Sequence, residues 1–133
     1  MLLLNTMGKE VRKWKEQAEA DLKTAKDNIS MKNYYASVFF SQQAAEKGLK
    51  ALYIKLENKE PPKIHDLVKL SLLTGAPESV KDASVKLSPV YILSRYLGPI
   101  TTVPFRYYRL KKAKSHLAQA EVILAWIRKK LKI

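Results

Sequence analysis

The chain alternates between apolar stripes at helical spacing and short polar breaks. Val11, Trp14, Ala18, Leu22, Ala25 and Ile29 recur every three or four residues, which predicts a first helix over 9–29. The longest stripe follows. Val38, Ala45, Leu49, Leu52 and Leu56 share one face of a helix running from about Tyr34 to about Leu56. The break between these two, Ser30-Met31-Lys32-Asn33, is short enough to make them antiparallel neighbours. Pro61-Pro62 ends the second helix, because consecutive prolines cannot continue one. A short third helix opens at His65-Asp66-Leu67, with Leu67, Leu70 and Leu73 inward and Gly75 as its C-terminal cap. Either His65 or Asp66 can cap the free amides there, and for His65 that role is preferred to direct chemistry. Residues 78–97 place Val80, Ala83, Leu87, Val90 and Ser94 on one face. Ser88-Pro89 reads as an N-cap followed by proline at a first helical position, giving two consecutive short helices. A loop follows over 97–104. The last helix spans about 107–131 on Leu110, Ala113, Leu117, Ala120, Leu124, Ile127 and Leu131. No segment has period two. The pattern predicts an all-α, up-and-down bundle of about five helices, in one domain over 1–133.

One beat of the longest stripe is polar. Gln42 stands where an apolar side chain is expected, and Glu46 follows one turn later on the edge of the same face. A buried amide or carboxylate is costly without a partner, so another part of this chain or a second chain has to answer the pair. Asp21 flanks the first stripe and can face the pair, although a solvated position is the more ordinary reading for an acid on a helix.

Composition narrows the chemistry. There is no cysteine, which excludes disulfides, thiolate nucleophiles and Cys-ligated metals. His65 and His116 are the two histidines and cannot by themselves make a metal site. Met1-Leu2-Leu3-Leu4 is too short for a signal-peptide core, which needs about 7–15 apolar residues, and no run reaches the roughly 20 of a membrane span. A cytoplasmic protein is expected. Met7 is an alternative start, which would make the first few residues a frayed extension (1–8 at most). The formal net charge is +13, and after Asp82 the only acid is Glu121, against eleven basic residues. Such one-sidedness fits an anionic partner such as nucleic acid, nucleotide or an acidic protein, or else a solvated lysine-rich surface. Lysine outnumbers arginine, and no interleaving of aromatic residues is read here as a stacking platform. The terminal Arg128-Lys129-Lys130-Leu131-Lys132 run has a structural explanation, since cations favour the negative end of a helix dipole. No Walker loop, dinucleotide-binding glycine fingerprint, HExxH pair or hydrolase-like carboxylate pair is present.

Phe40-Ser41-Gln42-Gln43-Ala44-Ala45-Glu46-Lys47-Gly48-Leu49-Lys50-Ala51, then His65-Asp66-Leu67, then Ser94-Arg95-Tyr96 resembles the HEPN family, with its motifs in the same order. The outer helices, Trp14…Asp21-Leu22…Ala25 and Ala113…Ala120…Trp126, match its flanking segments, so the resemblance runs from about Lys9 to Leu131. It implies a helical bundle that commonly forms a homodimer, with polar residues gathered in a groove at the dimer interface. Many such proteins are encoded beside a minimal nucleotidyltransferase and act with it as a toxin–antitoxin-like pair. By this resemblance Arg95, Tyr96, Gln42, Glu46 and His65 would bind nucleotide or RNA, without metal or cofactor.

Some members are metal-independent ribonucleases with four to six residues between an arginine and a following histidine. The histidine would handle the proton of the attacking 2′-hydroxyl, and the arginine would stabilise charge on the phosphorane. Arg95 matches that arginine, but its window holds Ile100, Thr101 and Thr102, and Leu97 replaces the usual proline. Arg109 and His116 satisfy the bare spacing elsewhere, on one helix two turns apart, and are the alternative catalytic pair. The sequence therefore favours a non-catalytic binding module over a ribonuclease or a purely structural partner.

Overall fold

The computed structural model describes the backbone of residues 2–95 and 103–132, and the side chains of 7–88, 103 and 105–132. Among these residues every regular element is a helix: α1 (Leu2–Ser30), α2 (Tyr34–Glu57), α3 (Leu67–Leu73), α4 (Glu78–Arg95), α5 (Pro104–Tyr107) and α6 (Leu110–Leu131). The all-α prediction holds, with six helices rather than five.

Helices α1, α2 and α6 make the main core. Val11, Ala18 and Leu22 of α1 meet Val38, Ala45, Leu49 and Leu52 of α2 and Ile123, Leu124, Ile127 and Leu131 of α6 in one buried cluster. Helix α6 runs parallel to α2. Arg109 stands over Tyr34, Leu124 touches Gly48, and Lys55 Nζ donates to the Leu131 carbonyl at 2.6 Å, so contacts advance in the same sense along both helices. Helix α1 is antiparallel to α6, which the bidentate Glu19–Arg128 pair and the Lys26–Glu121 pair fix at successive levels. Arg128 thus serves an interhelical ion pair, and the α6 carbonyl end is instead met by Lys55.

Several boundaries differ from the periodicity. Helix α1 starts well before residue 9, since nothing between Leu2 and Lys9 forces a break and Gly8 weakens a helix by only about 1 kcal/mol. Helix α4 is continuous through Pro89. Ser88 does not cap a new helix; its hydroxyl donates to the Ser84 carbonyl at 2.8 Å. The unbroken stripe of Val80, Ala83 and Leu87, all buried, is the stronger signal there. Residues 104–107, expected as loop and helix start, form the separate short α5, and α6 begins only at Leu110. Leu56, Leu73 and Leu110 are exposed rather than inward, because each sits at the last or first turn of its helix where the neighbouring helices no longer cover the stripe. At α3, Asp66 supplies the cap by accepting from the Lys69 amide at 3.1 Å, and Gly75 takes a φ of +70° that a side chain would strain. His65 is left for another partner.

Candidate functional site

The polar pair of α2 is buried and answered from within the chain. Gln42 is fully buried and Glu46 is 4 % exposed. Gln42 Nε2 donates to Glu46 Oε1 at 3.2 Å, while Gln42 Oε1 accepts from Gln43 Nε2 at 2.7 Å. One turn on, Lys50, itself 5 % exposed, donates to Glu46 Oε2 at 3.0 Å. The fourth member comes from the connection before α3. His65 Nδ1 lies 3.1 and 3.0 Å from the two Glu46 oxygens, and since a carboxylate only accepts, that nitrogen donates. Three of the predicted site residues, Gln42, Glu46 and His65, are therefore one hydrogen-bonded unit. Its imidazole is about half exposed and its other members are interior.

A second ion pair, with its acid buried and its lysine partly exposed, joins α1 to α2. Asp21 is 3 % exposed, which corrects the solvated reading, and accepts from Lys47 Nζ at 2.5 Å and from Gln17 Nε2 at 2.9 Å. It faces α2 because Leu22, its neighbour in the stripe, is in the core and α1 packs closely along α2. Trp14 fills the space above, with the Lys50 ammonium 5.7 Å from its ring centre. Trp14 borders two shallow grooves of about 280 and about 290 Å³, reached by Lys13 and Lys47 on one side and by Lys50 and Lys63 on the other. Most of those lysines are matched: Lys13 by Glu10, Lys47 by Asp21 and Lys50 by Glu46. The grooves are close to neutral. They are poor anion sites despite the overall charge.

The remaining candidates lie apart from this unit or beyond the description. Arg95 is the last residue of α4, its side chain is not described, and Tyr96 lies outside the described residues. Arg109 precedes α6 and stacks its guanidinium 5.5 Å from the Tyr34 ring centre. His116 sits on α6 with its ring 5.8 Å from that of the buried Tyr108, and its Nδ1 is buried without a hydrogen-bond partner among the described residues. Arg109 and His116 thus turn to different neighbours in one chain. Among the described residues no group of three or more His, Asp or Glu side chains is placed to hold a metal ion.

Burial pushes the His116 imidazole down to about 4, with the Lys112 ammonium adding to the effect. The unfolded chain takes up that proton near pH 6.5, about the ordinary histidine value. Between these two values it binds a proton that the folded chain refuses, so stability falls as pH drops from about 6.5 toward 4. The contribution is complete above that window. Its slope is at most about 1.4 kcal/mol per pH unit, and less after allowance for the solvent reaching the ring. Urea titrations at pH 7 and pH 5 should show a smaller loss on acidification for His116→Asn than for wild type. Equal losses would assign the acid sensitivity to other groups.

The model of the HEPN domain matches residues 11–130. The chain belongs to the HEPN family. TT1696 from Thermus thermophilus is 30 % identical with a TM-score of 0.81, over 90 % of this chain and 97 % of that one. ST0689, an archaeal HEPN homologue, is 32 % identical with a TM-score of 0.76, over 90 % and 95 % of the two chains. A HEPN domain protein from Thermotoga maritima shares the fold at 21 % identity, with a TM-score of 0.67 over 90 % and 97 %. No curated protein matches the chain.

In this HEPN chain the polar beat of the longest stripe pointed to Gln42 and Glu46 and the resemblance added His65, and the fold joins Lys50 to them. Lys50 carried a signal in the sequence, since it lies at i+4 from Glu46 in the orientation that pairs well on a helix. Tyr108, one of the largest fully buried side chains, gave none, because it lies between α5 and α6 and outside every stripe.

Proposed function

We propose that this HEPN chain is a nucleotide- and RNA-binding module, working as a homodimer with a separately encoded minimal nucleotidyltransferase. The observation that carries the reading is the His65 imidazole. It is half exposed, yet oriented by a buried carboxylate whose charge is balanced by the buried Lys50. An imidazole whose Nδ1–H is held by a carboxylate has, in its neutral form, an acceptor as its other nitrogen, which suits a donor on a base edge or a ribose hydroxyl, and the chain's excess of cations favours polyanions. The ribonuclease alternative needs His116 to exchange protons at the surface. Its buried Nδ1 and lowered basicity weigh against that within one chain.

The test is incubation of the purified protein with mixed single-stranded RNA in EDTA, followed by gel and filter-retention assays. Intact RNA should be retained, with retention falling steeply as salt rises. Arg95→Ala and His65→Ala should each weaken it. RNA cleavage that disappears in His116→Ala would establish the nuclease reading instead. Retention equal to wild type in both Arg95→Ala and His65→Ala would remove the assigned site.

A further inference from the structure

The parallel run of α2 and α6 brings two distant stretches to one end of the bundle. From the α1–α2 turn come Lys32, Tyr34 and Tyr35; from α5 and the start of α6 come Phe105, Arg106, Tyr107, Arg109 and Lys112. The Arg109 guanidinium lies 5.5 Å from the Tyr34 ring centre and the Lys112 ammonium 4.5 Å from that of Tyr107. Tyr35 and Phe105 meet edge to face at 6.3 Å and are 44 % and 60 % exposed. Tyr107 packs on Tyr108 at 4.9 Å, and Tyr108 is 1 % exposed, so the Tyr107 ring rests on a buried one. Neither contributing stretch holds an acid: there is none from Asn28 to Ala36 or from Val103 to Lys114. Unlike the grooves beside Trp14, this end has cations with no carboxylate paired to them among the described residues. Aromatic residues are interleaved with the basic ones after all, and half of the rings come from α2.

We propose that this end of the bundle is a binding edge for single-stranded nucleic acid. Phe105 and Tyr35 stack unpaired bases, the outer face of the Arg109 guanidinium extends the stack begun on Tyr34, and Arg106 and Lys112 take phosphates. An edge-to-face ring pair leaves ring faces uncovered for a base, and a guanidinium stacks on rings while still reaching phosphate. A duplex hides its base faces, so the edge selects single strands. The inference rests on the RNA-binding reading above for its ligand class, and it adds a surface separate from the His65 cluster.

Fluorescence anisotropy with a labelled single-stranded RNA of about 12 nucleotides, and with a duplex of the same length, tests it across a salt series. Phe105→Ala should lower single-strand affinity at least about fivefold without changing the salt slope, because it removes a stack and no phosphate contact. Arg106→Ala should lower affinity and reduce the slope by about 0.7. The duplex should bind more weakly and ignore Phe105→Ala. Phe105 is exposed, so its variant keeps the fold, which circular dichroism melting verifies. Wild-type affinity in both Phe105→Ala and Tyr35→Ala, or preference for the duplex, overturns the proposal. If those variants bind normally while Arg95→Ala binds poorly, the edge fails and the nucleotide-binding reading stands. The reverse result keeps the edge and removes the Arg95 site. No single-strand binding by wild type at low salt overturns the edge and the RNA-binding reading together.

Discussion

Replacing Glu46 with alanine will destabilise the fold by about 3–5 kcal/mol, the range for breaking a buried ion pair by removing one partner. The carboxylate accepts from Gln42, Lys50 and His65. Its loss leaves the Lys50 ammonium, 5 % exposed, without a counter-charge and the Gln42 amide hydrogen without an acceptor. Each is a desolvated donor with nothing to replace water. Lys50→Met should cost less, because Glu46 keeps two of its three donors and Met retains the packing of the lysine stem. Glu46→Leu combined with Lys50→Met removes both charges together and should recover most of the loss seen in Glu46→Ala. Urea unfolding of the four proteins decides it. A double variant no more stable than Glu46→Ala would place the cost in the Gln42 amide left without its acceptor and not in the stranded charge. His65 gives a second readout, since Glu46→Ala also removes the carboxylate that its Nδ1 donates to, so nucleotide or RNA binding should weaken even where the fold survives.

The contrast between what was legible and what was not follows the range of the interactions. The stripes of α1, α2 and α6 could be read because helix-to-helix burial repeats every three or four residues whatever lies opposite. Gln42 and Glu46 stood out as polar residues on such a stripe, and their local bonds at i+4 explain why. His65 could not be placed on Glu46 by spacing, because the contact closes a 19-residue separation across the proline turn. Asp21 was misread for the same reason, its partner Lys47 being 26 residues away. Pro89 was given too much weight: proline disfavours a helix interior by about 3 kcal/mol, and tertiary burial along α4 outweighs that. The aromatic edge was missed because Tyr34 and Tyr35 meet Arg109 and Phe105 only through the parallel packing of α2 on α6.

That packing depends on a close approach at Gly48, which makes Leu124 the position where a core truncation should be felt most. A Cβ at Gly48 would lie 3.3 Å from Leu124 Cδ1 and 3.6 Å from Ile127 Cγ1. Leu124 is fully buried, so Leu124→Ala should cost about 2–5 kcal/mol. The upper half of that range is expected, since the glycine opposite has no side chain to relax into the cavity. Gly48→Ala alone combines a helix gain of about 0.5–1 kcal/mol with a contact tighter than most, and should be nearly neutral. In the Leu124→Ala background that tight contact is gone and the new methyl partly fills the hole. There Gly48→Ala should stabilise by about 1 kcal/mol or more, a coupling outside the ~0.3–0.5 kcal/mol scatter of independent sites. Urea unfolding of the two single variants and the double variant closes the cycle. Additivity within that scatter would mean that the glycine is set by backbone fit to α6 as a whole and not by Leu124. Coupling of the expected sign would make the Gly48–Leu124 contact the point that holds α2 and α6 in parallel register. The aromatic edge, where Tyr34 meets Arg109 and Tyr35 meets Phe105, is positioned from that register.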